Sequence, residues 1–149
     1  MSWIACCSDS PPYLPSQVSA KDMNYSLARA WKAYTDAAIK HEVSSPEAES
    51  MFWAFNEMVD TVRDKPFEAL EVILEILKIA EEEQVLANLA AGPLEDLLAE
   101  HGIVVIDRII ELAKSDPRFR DLLQGVWGNS VDPRVWKRIE ALYVDDNRK

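Results

Sequence analysis

Four glycines, two cysteines, two histidines and no surplus of basic side chains in 149 residues set the first limits on this chain. Cys6 and Cys7 are neighbours, so a bridge between them would close a strained ring and tie down no long loop. A disulfide framework is excluded, and free thiols fit a reducing compartment, the cytoplasm. With only His41 and His101 beside that pair, a zinc site lacks ligands at workable spacing. A cysteine nucleophile would need one of those distant histidines as its base. No run nears the roughly 20 apolar residues of a membrane span. Met1 to Pro12 also lacks the basic region and long apolar core of a signal peptide. No phosphate loop, dinucleotide glycine pattern or His-Glu metalloprotease motif occurs. The expectation is a protein that is not an enzyme and carries no cofactor and no metal.

Basic charge is short where nucleic acid would require it. The formal charge is -10, whereas phosphate binding needs a face rich in Lys and Arg. A basic protein is the partner that this balance favours, with no nucleic acid and no membrane, and a homodimer is left open. Acidity that merely keeps a small protein dissolved is the plainer account. The 48% apolar and 28% charged fractions, with five tryptophans, are those of a folded domain. A chain of this length buries roughly 70% of its unfolded surface.

Residues 1–20 read as a loose arm, because Pro11, Pro12 and Pro15 remove amide donors there, although Trp3, Ile4 and Tyr13 offer anchors. Residues 21–149 read as a single helical domain. Met23, Leu27, Ala30, Trp31, Tyr34, Ala37 and Ala38 repeat at three and four residues and predict a helix over 22–41. Ser45 before Pro46 suits a cap and first helical position. Met51, Phe52, Phe55, Met58, Val59 and Val62 then mark one face of a second helix ending before Pro66. A third helix, Pro66 to Ala80, carries an apolar stripe wide enough to need neighbours on two sides. Glu81 to Glu83 place acid at the start of a fourth. Gly92-Pro93 should break that helix, since Pro93 has no amide to donate and disfavours helical geometry at the preceding residue. A short helix from Pro93 should stop at His101-Gly102, followed by helices near 103–114, 117–127 and 133–144, the last two opened by Asp116-Pro117 and Asp132-Pro133.

A shift of 33 residues superposes Leu70, Ile73, Ile76, Leu77 and Ala80 on Ile103, Ile106, Ile109, Ile110 and Ala113, and Leu86, Leu89 and Gly92 on Phe119, Leu122 and Gly125. Such a period belongs to two-helix units. The expected fold is all-α, a short HEAT-like stack of helical hairpins with N-terminal capping helices. Its repeat-like units span about 66–102 and 103–130, with a half unit at 131–145. An ordinary bundle of amphipathic helices would share much of this spacing.

The words WAFN at Trp53 to Asn56, AAGPLEDLL at Ala90 to Leu98, His101-Gly102, Ile106 to Arg108, DPRF at Asp116 to Phe119 and GVW at Gly125 to Trp127 carry a further signal. Over Trp53 to Trp127 the chain resembles an uncharacterised bacterial helical domain family. The N-terminal arm and the tail after Asn129 fall outside the resemblance. It implies a small helical domain and brings no activity.

Residues 68–111 hold eleven acids against Lys78 and Arg108. Glu68, Glu71, Glu75, Glu82, Glu95 and Asp96, with Trp127 at a helix end, are therefore the candidate partner-binding residues. Trp31 and Trp53 lie on apolar stripes and are expected in the core, whereas Trp127 is expected to be partly exposed. Glu95, Asp96, Glu100 and His101 could serve a small hydrolase as acid and base. Helix-end electrostatics accounts for the same residues, with Glu95 and Asp96 in a first turn and His101 in a last one. The leading expectation is a protein-binding module that recognises a basic partner. An immunity or antitoxin-like inhibitor of a cationic toxin is the narrower alternative.

Overall fold

Prolines and short polar caps divide the chain into helices, and the computed structural model describes residues 19–41 and 44–144. Helix α1 spans Ala20–His41, α2 Pro46–Asp64, α3 Pro66–Ile79, α4 Glu83–Leu89, α5 Glu95–Ser115, α6 Pro117–Leu123 and α7 Pro133–Val144. A π-helical turn, Ala90–Leu94, joins α4 to α5, and a 3-10 turn covers Gly128–Ser130. There is no strand among the described residues. The fold is all-α. Trp3, Ile4, Cys6, Cys7 and Tyr13 of the N-terminal arm lie outside the described residues, as does the tail from 145.

The caps act where the sequence puts them. Ser45 Oγ accepts the Ala48 amide at 3.2 Å. Asp116 and Asp132 accept the Arg118 and Arg134 amides, each at 2.9 Å, satisfying donors that a helix start leaves open. Helix α3 buries Ala69, Leu70, Val72, Ile73, Ile76 and Leu77 and packs against α1, α2, α5, α6 and the π turn. A stripe this wide has found neighbours on both sides. Each fully buried Leu or Ile contributes about 1.5–3 kcal/mol. The main core runs from Leu27 in α1 to Leu142 in α7.

Gly92-Pro93 does not break the helix. The missing Pro93 amide is accommodated by widening the ladder instead: the Glu95 amide bonds to the Ala90 carbonyl, five residues back. Backbone angles at Leu89, Ala90, Leu94 and Glu95 remain right-handed helical. The real discontinuity comes at His101, where φ is -129° and ψ 18°. A β-carbon on the next residue, Gly102, would lie 3.1 Å from a Val135 methyl of α7, so α7 approaches closely where the side chain is smallest. Helix α6 stops at Leu123 rather than near 127, its end tightened by bonds from the Gly125 and Val126 amides to carbonyls three residues back.

The superposed positions agree in burial at Ile73 and Ile106, Ile76 and Ile109, and Ala80 and Ala113. They differ at Leu70, which is buried, and Ile103, which is exposed. Gly92 and Gly125 also differ: a β-carbon on Gly125 would lie 2.8 Å from that of Ala90, whereas one on Gly92 would meet nothing within 4 Å outside its chain neighbours and its own helix.

Candidate functional site

Helix α2 carries more apolar surface than its neighbours cover. Met58 and Val62 are buried against the core, but Phe52, Phe55 and Val59, spaced at three and four residues, remain 44%, 41% and 43% exposed. Trp53, expected in the core, is 55% exposed. The reason is geometric: α2 packs against α1, α3, α5 and the π turn without these residues being covered, and periodicity marks apolar residues without saying which of them a neighbour reaches. The exposed rings are ordered among themselves. Phe52 and Phe55 stack with centroids 5.6 Å apart and planes at 14°, and Tyr34 of α1 lies 6.0 and 5.7 Å from them, a range in which aromatic pairs attract.

Behind this patch, α1, α2 and the π turn enclose a cleft of about 250 Å³. Trp31, Tyr34, Phe55, Met58, Val59 and Val62 give it apolar walls, Thr35 and Asn88 add polar groups, and Gly92, Pro93 and Asp96 complete the lining. Extra backbone width at a π bulge is a common way of shaping a site.

Asp96 is the one predicted site residue that lines this cleft. Its side chain reaches solvent while the cleft walls take part of its hydration, and among the described residues no cation or hydrogen-bond donor pairs with it. Burial, then Glu100, then Glu95 hold its carboxyl above the usual aspartate value. The helix-end account fails for it, because the amides around it are already bonded in a helix that continues from α4. A carboxyl whose value is raised on folding binds its proton more tightly in the native state. It therefore costs nothing below the unfolded value, and the native state loses stability as pH rises through the raised value. Asp96→Asn is expected to raise stability at pH 7 by up to about 0.5 kcal/mol, the scale of a like-charge pair four residues apart. The gain should vanish near pH 3. Urea unfolding at both pH values checks this, and a loss of stability at pH 7 would contradict it.

The other six predicted residues lie apart from the cleft lining. Glu68 is 3.7 Å from Lys65, and Glu75 accepts from Lys78 at 2.8 Å, so α3 carries part of its own neutralisation. Glu71 is exposed on the same helix. Glu82 is 3.2 Å from Lys32 of α1, which also binds Asp36 at 2.8 Å. Hydrogen bonding to Asp36, with a further bond to Glu82, raises the Lys32 ammonium. Glu95 accepts the Trp127 amide at 3.4 Å, which joins two predicted residues that sequence spacing does not connect. Trp127 is 68% exposed, as expected, while Trp31 is buried.

His101 sits at the kink where the helical backbone is interrupted, and its Nε2 lies 2.9 Å from the Arg63 carbonyl. A carbonyl only accepts, so Nε2 carries the proton and donates. The ring ties the α5 kink to the last turn of α2. Reasoning from sequence missed Phe55, Val59 and Gly92. The available signal was a helix with too many large apolar residues for one contact face, next to a glycine with no turn to make.

A model of a family of unknown function, DUF6869, matches residues 40–146. The chain belongs to that family. The match extends past Asn129 and takes in α7, beyond the Trp53 to Trp127 segment that the short words delimit. No curated protein and no solved structure matches the chain significantly.

Proposed function

We propose that this DUF6869 member is a non-enzymatic protein-binding module that docks a basic protein on the exposed aromatic face of α2 and the cleft behind it. The observation that carries the reading is the ordered, half-exposed Phe52-Phe55 stack beside Asp96, which has no partner among the described residues. Apolar patches of this kind mark interaction sites when polar groups rim them. Aromatic side chains in such patches supply most of the energy at interfaces. The net charge of -10 favours a cationic partner and speeds its approach. In this reading the helices pair as stacked hairpins, with α1 and α2 as the cap that presents the binding face.

The α3 acids act on encounter. Glu68→Gln, Glu71→Gln and Glu75→Gln together should slow association with the partner several-fold at low salt and leave dissociation nearly unchanged, because rim charges act mainly on encounter. Stability should stay within about 1 kcal/mol: Glu68 and Glu71 are exposed, and Glu75, whose side chain is only 17% exposed, gives up an ion pair with the exposed Lys78 but keeps a polar amide in its place. Stopped-flow association against salt, with urea unfolding, measures both. An unchanged association rate would remove α3 from the encounter surface.

The reading itself is tested by capture with the full chain and with a Phe52→Ser/Phe55→Ser variant. A basic protein retained by the first and lost by the second supports it. Capture that is indifferent to the variant, or to added salt, contradicts it. A concentration-dependent mass abolished by the same variant would instead assign the face to a second copy of the chain.

A further inference from the structure

Three of the four glycines lie against close neighbours. A β-carbon would lie 3.1 Å from Val135 at Gly102 and 2.8 Å from Ala90 at Gly125, and at Gly128 it would overlap the Trp136 ring. Gly92 is different. It sits within helical backbone, and outside its chain neighbours and its own helix a β-carbon there would meet nothing within 4 Å. Glycine has no β-carbon to clash with the ring of the following Pro93 in this helical turn, and it leaves the space beside the turn empty. What its bare backbone leaves open is the cleft, which it lines.

The cleft walls describe what enters. Its volume of about 250 Å³ falls just below the range of about 300–1,000 Å³ typical of small-molecule pockets, and suits a single side chain. Trp31, Tyr34 and Phe55 present aromatic surface, and Met58, Val59 and Val62 present aliphatic surface. Asp96 lines the cleft with no partner among the described residues, and Glu95 and Glu100 add to the negative potential around it. An aliphatic stem ending in a flat, delocalised cation satisfies every wall: the stem lies against the aliphatic side, the cation against the rings, and its N–H groups reach the carboxylate. Arginine fits this better than lysine because its guanidinium is planar, more weakly hydrated and stacks on aromatic faces.

We propose that the cleft between α1, α2 and the π turn is a socket for one arginine side chain of the docked protein, with Asp96 as its counter-ion and Gly92 kept bare to admit it. The inference rests on the docking role assigned to α2 and names the group that anchors the partner there.

The probe is N-acetyl-arginine methylamide, with N-acetyl-citrulline methylamide as its neutral isostere, titrated into the full-length protein and followed by amide NMR. The arginine derivative should shift the Asn88, Gly92 and Asp96 amides and saturate in the millimolar range, with citrulline at least tenfold weaker. Asp96→Asn should weaken the arginine derivative tenfold or more. Gly92→Leu should block it while the protein stays folded. Equal response to the two derivatives, shifts confined to other surfaces, or undiminished binding to both Asp96→Asn and Gly92→Leu would overturn the socket. The two ideas fail separately. A captured partner that is lost on Phe52→Ser/Phe55→Ser but bound undiminished by Asp96→Asn and Gly92→Leu leaves the docking face standing and removes the socket.

Discussion

Phe119→Ala is expected to lower the unfolding free energy by about 3–5 kcal/mol, the cost of emptying a site that held a fully buried ring. Phe119 is 0% exposed and is among the largest fully buried side chains. It belongs to α6, whose seven residues are far too few to hold a helix without tertiary support. That support is packing against α3, α4, α5 and the π turn, with Arg118 donating to the Ala80 carbonyl at 2.9 Å and Tyr143 of α7 donating to the Arg120 carbonyl at 2.8 Å. Removing the ring loosens all of these together. Domains are stable by only about 5–15 kcal/mol, so the loss should be conspicuous as a lower urea midpoint. A cost under about 1 kcal/mol would mean that the core around α6 is not packed as described.

The second large effect concerns binding. Phe52→Ser/Phe55→Ser should weaken the basic partner by about 100-fold or more, since two central aromatics each contribute about 2 kcal/mol or more where they act as hot spots. Its effect on folding should be small by comparison. Both rings are already 44% and 41% exposed, and their pairing with Tyr34 is worth only about 0.5–1.5 kcal/mol per ring. Isothermal titration and urea unfolding on the same preparation separate the two. A variant that binds normally would locate the interface elsewhere, and one that unfolds would make the stack structural.

Local chemistry was the legible part of the fold. Ser45-Pro46, Asp116-Pro117 and Asp132-Pro133 start helices because a capping oxygen and a missing amide work within four residues of chain. His101-Gly102 also marked a true discontinuity. The close approach of Val135 to Gly102 is a tertiary fact that no local pattern contains. Gly92-Pro93 misled for a related reason. Proline forbids one hydrogen bond, and two outcomes follow, a break or a wider turn; packing of α4 on α1 and of α5 and the π turn on α3 goes with the second. On α2 the spacing identified every large apolar residue correctly but could not assign Phe52, Phe55 and Val59 to solvent. Asp96 was legible as a candidate. Its setting was not, because the apparent helix start that explained it away is the interior of a longer helix.

Amide hydrogen exchange of the full chain, free and with its captured basic partner, tests the α2 face and its cleft most directly. Slowed exchange concentrated in residues 52–62 and 88–96 is the predicted result. Protection confined to α3 or to residues 117–144, with the α2 and π-turn amides unchanged, would contradict it.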